Sequence, residues 1–530
     1  MNRILSTFFA VVMSGMMILT IVGPAFGAAV IGDTAGIDSE AVETDRIEWG
    51  MDSAALDDGE VVVRFDPYDG ETTAGSDGPA DRNELIDRLE AHAETTQADL
   101  VEWAEATEGI EVTGQFWIVN AVVLSIEDDA PAAEIPTFSA VTGVHEPFEV
   151  TREAPTGGGA IGDGATRHGA TGDGSSSERM DDRADVTYGL DLIGAPEVWE
   201  RFGTVGEGAT VAVLDSGVEG NHPDIEVGTF QEFDERGEPV DSSPFDPSGQ
   251  SHGTHVSGTI AGGDASGTAI GVAPGAELAV GAVLTNCGFG GCSGTFEQII
   301  AGIEWAVADA EADVISMSLG FGGKSDRMVE PIRNARAAGT LVVASAGNSG
   351  HGSSGSPGNV YDSLSVGAVD EDRTVAKFSS GERVSKGDWN DPPDGWPDEY
   401  VVPTVTAPGV DVYSAQAPDG YGERSGTSMA APHVAGVAAL LVSAAPDADP
   451  TAIEHAIEST ATKPDGKESS DRDIRYGSGV VDANAAVETL LRSADASPAV
   501  EEPRLSIADE LGIGRRRFAR FLDRSLTTGQ

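Results

Sequence analysis

Lysine is nearly absent from this chain of 530 residues, where it occurs only at positions 324, 377, 386, 463 and 467. Lysine and arginine together number 31 against 89 acidic residues, which gives a formal net charge of −58 at pH 7. A surface of this charge repels nucleic acid, which argues against a DNA- or RNA-binding role. It also repels itself at low ionic strength, and concentrated cations screen that repulsion. The composition therefore favours a protein that works in strong salt.

Cysteine is scarcer still. The chain has two, Cys287 and Cys292, within one glycine-rich loop. This number excludes a fold held together by a framework of disulfides. Two interpretations stay open at this point: one small bridge that closes the loop, or two free thiols.

The chain opens with one long apolar run. Arg3 precedes it, the run extends from Ile4 to Val22, and small residues follow up to Ala29. A positive charge, an apolar stretch and small residues at a cleavage site are typical of a secretory signal peptide, here residues 1–29. The run is also long enough to remain uncut as a membrane anchor. The sequence therefore predicts a secreted protein, with a membrane-tethered one as the alternative.

The sequence predicts that residues 30–155 form a small separate domain, with its core at about residues 60–150. The pattern indicates a strand at 61–65, a helix at 81–106, a β-rich segment at 115–126, a short helix at 132–140 and a strand at 144–150. This β-α-β-α-β order predicts a ferredoxin-like α+β unit. Residues 156–185 are mostly Gly, Ala, Thr, Asp and Ser, which predicts an exposed linker that is open to proteolysis.

Residues 186–491 alternate short apolar strands with helices. Strands that are apolar along their whole length predict a doubly wound, mostly parallel sheet covered on both faces, an α/β fold. Ligands of such sheets bind at the carboxyl ends of the strands. Residues 492–530 form a tail with a basic patch at 515–524, for which an amphipathic helix on anionic lipid and a frayed end are the two interpretations.

Four segments of the α/β region carry groups that suit peptide hydrolysis. Asp215 ends the apolar strand Val-Ala-Val-Leu-Asp, and His252 opens a helix in Ser-His-Gly-Thr-His-Val. Asn348 follows a strand in Ala-Gly-Asn, and Ser428 opens a helix in Gly-Thr-Ser-Met-Ala-Ala-Pro-His-Val. A carboxylate can orient an imidazole, the imidazole can activate a hydroxyl, and an amide can donate to an oxyanion. Each residue alone has an ordinary structural interpretation, and their combination favours catalysis.

Two further residues of these segments, His255 and Pro432, have predicted structural roles. His255 stands three residues after His252 with no acidic residue between them, which disfavours a metal pair and predicts a packed structural histidine. Pro432 is predicted to lie in the first turn of the helix that carries Ser428, where a missing N–H costs little.

The segments, in the order Asp, His, Asn, Ser, resemble the subtilisin-like serine proteases over about residues 186–491. The chain is also similar to the halolysins, the secreted proteases of haloarchaea. The resemblance implies that Asp215 orients the base His252, that Ser428 is the nucleophile, and that Asn348 donates to the oxyanion. It implies a monomeric endopeptidase that cleaves proteins or peptides and needs no cofactor for catalysis. A catalytically silent binding scaffold is the alternative, although silent relatives usually lack a triad residue.

The same resemblance implies where an extended substrate lies. One edge of the substrate site is expected at Ser318, Leu319 and Gly320. The opposite edge is expected at Ser293 and Gly294, with Phe296 near a more distant pocket. Ala346 and Gly347 are expected to leave the main pocket roomy and uncharged. Such a pocket favours apolar or aromatic side chains before the scissile bond.

The resemblance also concerns calcium and the N-terminal unit. Asp224 matches a calcium ligand of the family, but Ala265 stands where an asparagine is expected, so backbone carbonyls and Asp264 would have to complete the site. Residues 30–155 resemble the propeptide that assists folding and then inhibits the enzyme. Cleavage within residues 156–185 would release the mature chain.

Overall fold

A computed structural model describes residues 59–68, 82–127, 130–151, 186–249, 251–288, 291–390, 392–464 and 472–496. The predicted signal segment, the linker at 156–185 and the basic patch at 515–524 lie outside the described residues, and the interpretations given to them stay predictions.

The N-terminal unit is a four-stranded antiparallel sheet with one long helix packed on it. The strands stand in the order β2-β3-β1-β4, so that β1 lies between β3 and β4. The elements are β1 (Gly59–Phe65), α1 (Arg82–Ala106), β2 (Ile110–Phe116), β3 (Ala121–Ile126), β4 (Val141–His145) and β5 (Glu149–Thr151). A short 3-10 helix, Ala132–Thr137, takes the place of the second helix expected from the sequence.

The β-rich segment at 115–126 is not one continuous strand. It contains the end of β2, a turn at 117–120 and the whole of β3. The backbone N–H groups of Trp117 and Ile118 both donate to Oε1 of Glu304 in the α/β body, at 2.6 and 2.9 Å. The turn is apolar because it packs against the body, a tertiary contact that the local pattern does not reveal.

The body is built on an eight-stranded sheet in the order β19-β16-β14-β12-β6-β9-β7-β8, as the alternating pattern predicts. All its neighbouring strands pair in parallel except β7 and β8. The strands are β6 (Thr210–Asp215), β7 (Val227–Phe233), β8 (Pro239–Val240), β9 (Glu277–Ala282), β12 (Val314–Met317), β14 (Leu341–Ser345), β16 (Leu364–Val369) and β19 (Val405–Pro408). The α/β, mostly parallel fold is confirmed.

Helices cover both faces of this sheet, and shorter strands form its margins. The helices are α2 (Tyr188–Ile193), α3 (Ala195–Phe202), α4 (His252–Ala261), α5 (Phe296–Ala308), α6 (Val329–Ala337), α7 (Thr427–Ala444), α8 (Pro450–Thr460) and α9 (Ala483–Ala496), with 3-10 segments at Asp326–Met328 and Lys386–Asp388. The short strands are β10 (Asn286–Gly288), β11 (Gly291–Thr295), β13 (Phe321–Gly322), β15 (Gly355–Ser356), β17 (Glu382–Ser385), β18 (Glu399–Val402), β20 (Val412–Gln416) and β21 (Gly420–Arg424).

Helix α7 runs through the core of the body. Among the described residues it alone is long and apolar enough to cross a membrane, and 89% of its apolar window is buried inside the protein. A helix that is apolar on every side is expected where neighbours surround it on every side.

The N-terminal unit rests on helices α5 and α6. Besides the Glu304 contact, Nδ2 of Asn334 donates to the carbonyl of Ile118 at 2.8 Å, and Arg64 forms a largely buried ion pair with Glu330. Desolvation in this contact raises the pKa of Glu304 to about 8, and the two backbone N–H donors oppose that rise. The contact therefore depends on groups that lose water when the unit docks.

Replacing Glu304 by alanine should loosen the turn at 117–120, because two buried N–H groups lose their acceptor. An unpaired buried group costs about 1–3 kcal/mol, which corresponds to amide exchange at Trp117 and Ile118 that is about 5-fold faster or more. Hydrogen–deuterium exchange of the full chain measures this. Glu304→Gln keeps an oxygen acceptor and is the matched control. Unchanged exchange in the alanine variant would show that the contact does not hold the turn.

Candidate active site

The carboxylate of Asp215 is held in one orientation at the end of β6. The strand before it is fully buried, and Asp215 itself is 0% exposed. Its Oδ1 accepts the N–H of Ser216 at 2.7 Å, and Nδ1 of His252 lies 2.8 Å from Oδ1 and 3.0 Å from Oδ2. Because Nδ1 faces a carboxylate, it carries the proton, and Nε2 of the neutral ring is left to accept one.

Helix α4 reaches Asp215 because its second residue has no side chain. A Cβ on Gly253 would lie 2.1 Å from the carbonyl oxygen of Gly217, so only glycine permits this approach. Asp246 fixes the same junction, since it accepts the N–H of Thr254 at 3.0 Å and the hydroxyl of Ser216 at 3.0 Å. Sequence reasoning missed Asp246, because a single aspartate in a polar loop has no distinguishing pattern.

His255 is a packed core residue, as predicted. It is fully buried, and its Nε2 lies 2.9 Å from the carbonyl oxygen of Val412. Burial lowers the pKa of His255 well below its usual value, and the positive charge of Arg424 lowers it further. The ring is therefore neutral and donates to that carbonyl.

Ser428 is tied to the end of strand β12 by two reciprocal hydrogen bonds. Its Oγ donates to the carbonyl of Ser318 at 3.2 Å, and Oγ of Ser318 donates to the carbonyl of Ser428 at 2.8 Å. The prediction that Pro432 lies in the first turn of α7 is wrong, because the helix begins at Thr427. Pro432 has no N–H to give to the carbonyl four residues earlier, and Ser318 takes its place.

Asn348 lies beside the start of α7. Its Oδ1 accepts the backbone N–H of Thr427 at 2.9 Å and the hydroxyl of Thr427 at 3.0 Å. These two bonds fix which end of the amide is oxygen. The Nδ2 end lies on the side of Gly426, where a Cβ would be 3.9 Å from it.

The strand register brings these groups to one edge of the sheet. Leu214 of β6 pairs with Met317 of β12, so Asp215 and Ser318 follow side by side. Strand β14, the other neighbour of β12, leads to Asn348. Across the described residues the structure thus groups Asp215 with His252 and Ser428 with Asn348, and in this arrangement the hydroxyl of Ser428 donates to Ser318 and not to the imidazole.

Strand β11, which contains the predicted edge residues Ser293 and Gly294, is paired with a segment of the chain itself. Strand β5 of the N-terminal unit runs antiparallel to it, with Thr151 opposite Ser293 and Val150 opposite Gly294. Strand β11 also pairs with β10, and a disulfide between Cys287 and Cys292 joins the two strands. Cys292 lines a small cavity next to Asp215 and His252, so the bridge borders the imidazole.

The remaining predicted pocket residues follow strands β12 and β14. Leu319 and Ala346 are buried, and Gly320 packs so closely on the carbonyl of Ser356 that a Cβ would lie 2.7 Å from that oxygen. Gly347 has a φ of 111°, which favours glycine. None of these four residues brings a charge to the pocket.

The Asp224 region offers few side-chain ligands for a calcium ion. Oδ1 of Asp224 accepts the N–H of Ala265 at 2.6 Å, and Oδ2 accepts the hydroxyl of Tyr421 at 2.7 Å. Calcium requires six or more oxygen ligands, while Ala265 offers no side-chain oxygen, and the described residues contain no group of three or more potential metal-binding side chains. Hydrogen bonds to Asp224 close this loop, and we assign no role to calcium here.

Comparisons with known proteins agree with this geometry. The profile of the subtilase family matches residues 206–479, slightly more than half of the chain. Subtilisin DY of Bacillus licheniformis is 36% identical over 310 residues, which cover 57% of this chain and 99% of that protein. Subtilisin E of Bacillus subtilis is 37% identical over 308 residues, or 57% of this chain and 71% of that protein. Subtilisin Savinase of Lederbergia lenta is 36% identical over 302 residues, which cover 57% of this chain and 98% of that protein.

The aligned region contains Asp215, His252, Asn348 and Ser428, and the parallel sheet places all four where strands or helices end at the same edge. This chain belongs to the subtilase family of subtilisin-like serine endopeptidases.

Proposed function

We propose that the protein is a secreted endopeptidase of strong brine, made as a precursor that processes itself, with Asp215, His252 and Ser428 as its catalytic triad. The observation that carries this proposal is the buried bond from Nδ1 of His252 to Asp215, at the sheet edge where Ser428 also lies. Because Asp215 holds the proton on Nδ1, Nε2 is the basic nitrogen.

The triad then acts in two stages. Ser428 turns its hydroxyl from the carbonyl of Ser318 to Nε2 of His252, gives up its proton, and attacks the peptide carbonyl carbon. The imidazolium, stabilised by Asp215, returns that proton to the leaving amine as the C–N bond breaks, which leaves an acyl ester on Ser428. Water, deprotonated by His252, attacks the ester and releases the acid product and the free serine.

The oxyanion of each tetrahedral intermediate is stabilised by Nδ2 of Asn348 and the backbone N–H of Ser428. Thr427 supports this role, because its two bonds to Oδ1 fix the orientation of the Asn348 amide and so fix the position of the Nδ2 donor. Donors that are fixed before the reaction stabilise developing charge without reorganisation.

The substrate binds as an added strand. Ser293 and Gly294 form one edge, and Ser318, Leu319 and Gly320 form the other; the pairing of β5 with β11 supports this direction of binding. The uncharged surroundings of Ala346 and Gly347 favour an apolar or aromatic side chain before the scissile bond.

The precursor is organised around this cleft. Residues 1–29 are the signal peptide, 30–155 the inhibitory propeptide, 156–185 the linker that is cut, 186–491 the catalytic domain, and 492–530 the tail. Because β5 occupies the edge of β11, a docked N-terminal unit keeps other peptides from that edge. The mature enzyme acts as a monomer on proteins or peptides and, like the halolysins, tolerates high salt through the excess of acidic over basic residues in its sequence.

Ser428→Ala should abolish hydrolysis of casein and of a chromogenic peptide with Phe before the cut, both in molar salt. Loss of the nucleophile in subtilisin lowers kcat by about 10⁶, and we carry that magnitude over. A serine-directed sulfonyl fluoride should inhibit the wild type to the same extent. Ser443→Ala, in the same helix and far from the cleft, is the control. Activity that survives in Ser428→Ala would refute the triad.

Asn348→Ala should lower kcat much more than it raises KM, because the lost donor acts on the transition state. Removing one oxyanion donor in subtilisin lowers kcat by about 10²–10³, and the same range is expected here. Steady-state kinetics on the chromogenic peptide provide the measurement. A change confined to KM would place Asn348 in ground-state binding instead.

Protonation of His145 should weaken the contact between the N-terminal unit and the body as the pH falls below neutral, because the ring is buried there, whereas the raised pKa of Glu304 acts in the opposite direction. Burial, with Arg327 and Arg64 nearby, lowers the pKa of His145 from 6.5 to about 2. The docked state keeps the ring neutral, so its contribution is complete above pH 6.5 and is lost as the pH falls, at up to about 1.4 kcal/mol per pH unit.

Calorimetry of the Ser428→Ala precursor at pH 7.5 and 5.5, in molar salt, measures this effect. The matched variant His145→Gln keeps the charged groups around the ring, which are Arg64, Arg327, Glu146 and Glu330. This variant should lose less stability than its parent between pH 7.5 and pH 5.5. Equal losses in the two chains would assign the pH dependence to other groups.

A further inference from the structure

The residues just before β5 also bind to the body in an extended conformation. After the pairs of Glu149 with Thr295 and Val150 with Gly294, the backbone N–H of Phe296 donates to the carbonyl of Phe148 at 3.0 Å. The body thus holds a peptide in extended form at least as far back as Phe148.

Side chains of this segment alternate between the body and solvent. Val150 is buried, Glu149 is exposed, and Phe148 is again partly buried. This period of two is that of a strand with one face against a surface. Phe148 and Val150 therefore occupy two successive side-chain sites on the same face of the peptide.

The site around Phe148 is aromatic on two sides and cationic on a third. Its ring centroid lies 5.2 Å from that of Phe296 and 5.1 Å from that of Phe321, the latter in an edge-to-face arrangement at 69°. The guanidinium carbon of Arg327 lies 5.0 Å from the same centroid. We call Phe296, Phe321 and Arg327 the aromatic cradle.

All three cradle residues lie on elements of the catalytic body. Phe296 is fully buried at the start of α5, and Phe321 lies in β13, paired with Ser356 of β15. Arg327 lies in the 3-10 segment before α6, and its Nη1 donates to the carbonyl of Glu146 at 3.0 Å. The cradle therefore remains in the mature body after the N-terminal unit leaves.

We propose that in the mature enzyme the aromatic cradle binds an aromatic side chain of the substrate, two residues upstream of the side chain that takes the position of Val150. This inference rests on the proposed endopeptidase function and adds to it a preference for aromatic side chains far from the scissile bond. The quadrupole of an aromatic ring is attracted to the cation of Arg327 and to the ring edges of its neighbours.

This mode of recognition suits strong salt. Exposed charges more than about 3 Å apart are screened in molar salt, so an acidic surface cannot steer substrates over a distance there. Ring–ring and cation–π contacts act at short range between groups that are packed together, so they persist in molar salt. The alternative is that the cradle serves only to dock the enzyme's own N-terminal unit.

Internally quenched peptides distinguish the two possibilities. Three long peptides carry Phe-Glu-Val-Thr, Leu-Glu-Val-Thr or Ala-Glu-Val-Thr ahead of the same cleavable Ala-Phe-Ser segment, and a short reference peptide begins at Val. For the mature wild type in molar salt, kcat/KM should be higher for the Phe peptide than for the Ala peptide by about 5- to 30-fold, the range expected from one aromatic pair and one cation–π contact. The Leu peptide should fall between them.

Variants test whether the cradle causes the preference. Arg327→Gln removes the cation but keeps a polar side chain, and Phe321→Leu removes one ring; each should lower the ratio of Phe to Ala rates at least about 3-fold. Arg333→Gln removes an exposed charge from the adjacent helix α6 and should leave that ratio unchanged. Because the ratio is taken within each protein, differences in yield or overall activity cancel.

The outcomes separate the two proposals. If the short peptide is not cleaved, the endopeptidase function fails, and this inference fails with it. If the short peptide is cleaved but the wild type treats the Phe and Ala peptides alike, the aromatic cradle is only a docking site for the N-terminal unit. Equal rates for Phe and Leu would overturn the aromatic preference and leave an apolar one.

Discussion

The parallel pairing of β14, β12 and β6 is the constraint on which the rest of the site depends. Three buried strands that run in the same direction end at the same level, so the residues that follow them are neighbours although they lie far apart in sequence. Asp215, Ser318 and Asn348 are positioned in this way. Helices α4 and α7 then need only begin at this edge to bring His252 and Ser428 to it. A one-residue shift in this register would separate Asp215 from Ser318, because the two residues follow paired positions.

Local patterns predicted the α/β body and the four functional segments, because buried parallel strands are apolar along their whole length and the polar residue that ends each one stands out. They failed where a distant contact determines the structure. The turn at Trp117 has the composition of a strand, yet Glu304 captures its N–H groups. The carboxylate of Asp224 is likewise bound by a distant partner, the hydroxyl of Tyr421, which no local pattern indicates. Such partners cannot be identified from neighbouring residues alone.

The contacts between the N-terminal unit and the body combine features that resist screening by salt. Buried groups dominate: the ion pair of Arg64 with Glu330, the hydrogen bonds at Glu304 and Asn334, and the aromatic packing of Phe148. Charges removed from water are screened much less than exposed ones. A chain with a net charge of −58 can therefore keep its two parts together in brine without relying on attraction between their surfaces.

Pro432 gives Ser428, the proposed nucleophile, a hydrogen-bond partner outside its own helix. In a regular helix the carbonyl of Ser428 would bond to the residue one turn later, and the serine would follow every movement of its own helix. The missing N–H transfers that bond to the hydroxyl of Ser318, so the serine is fastened to the sheet on which Asp215 also lies. The proposed nucleophile and the proposed orienting acid are thereby attached to neighbouring strands of one sheet.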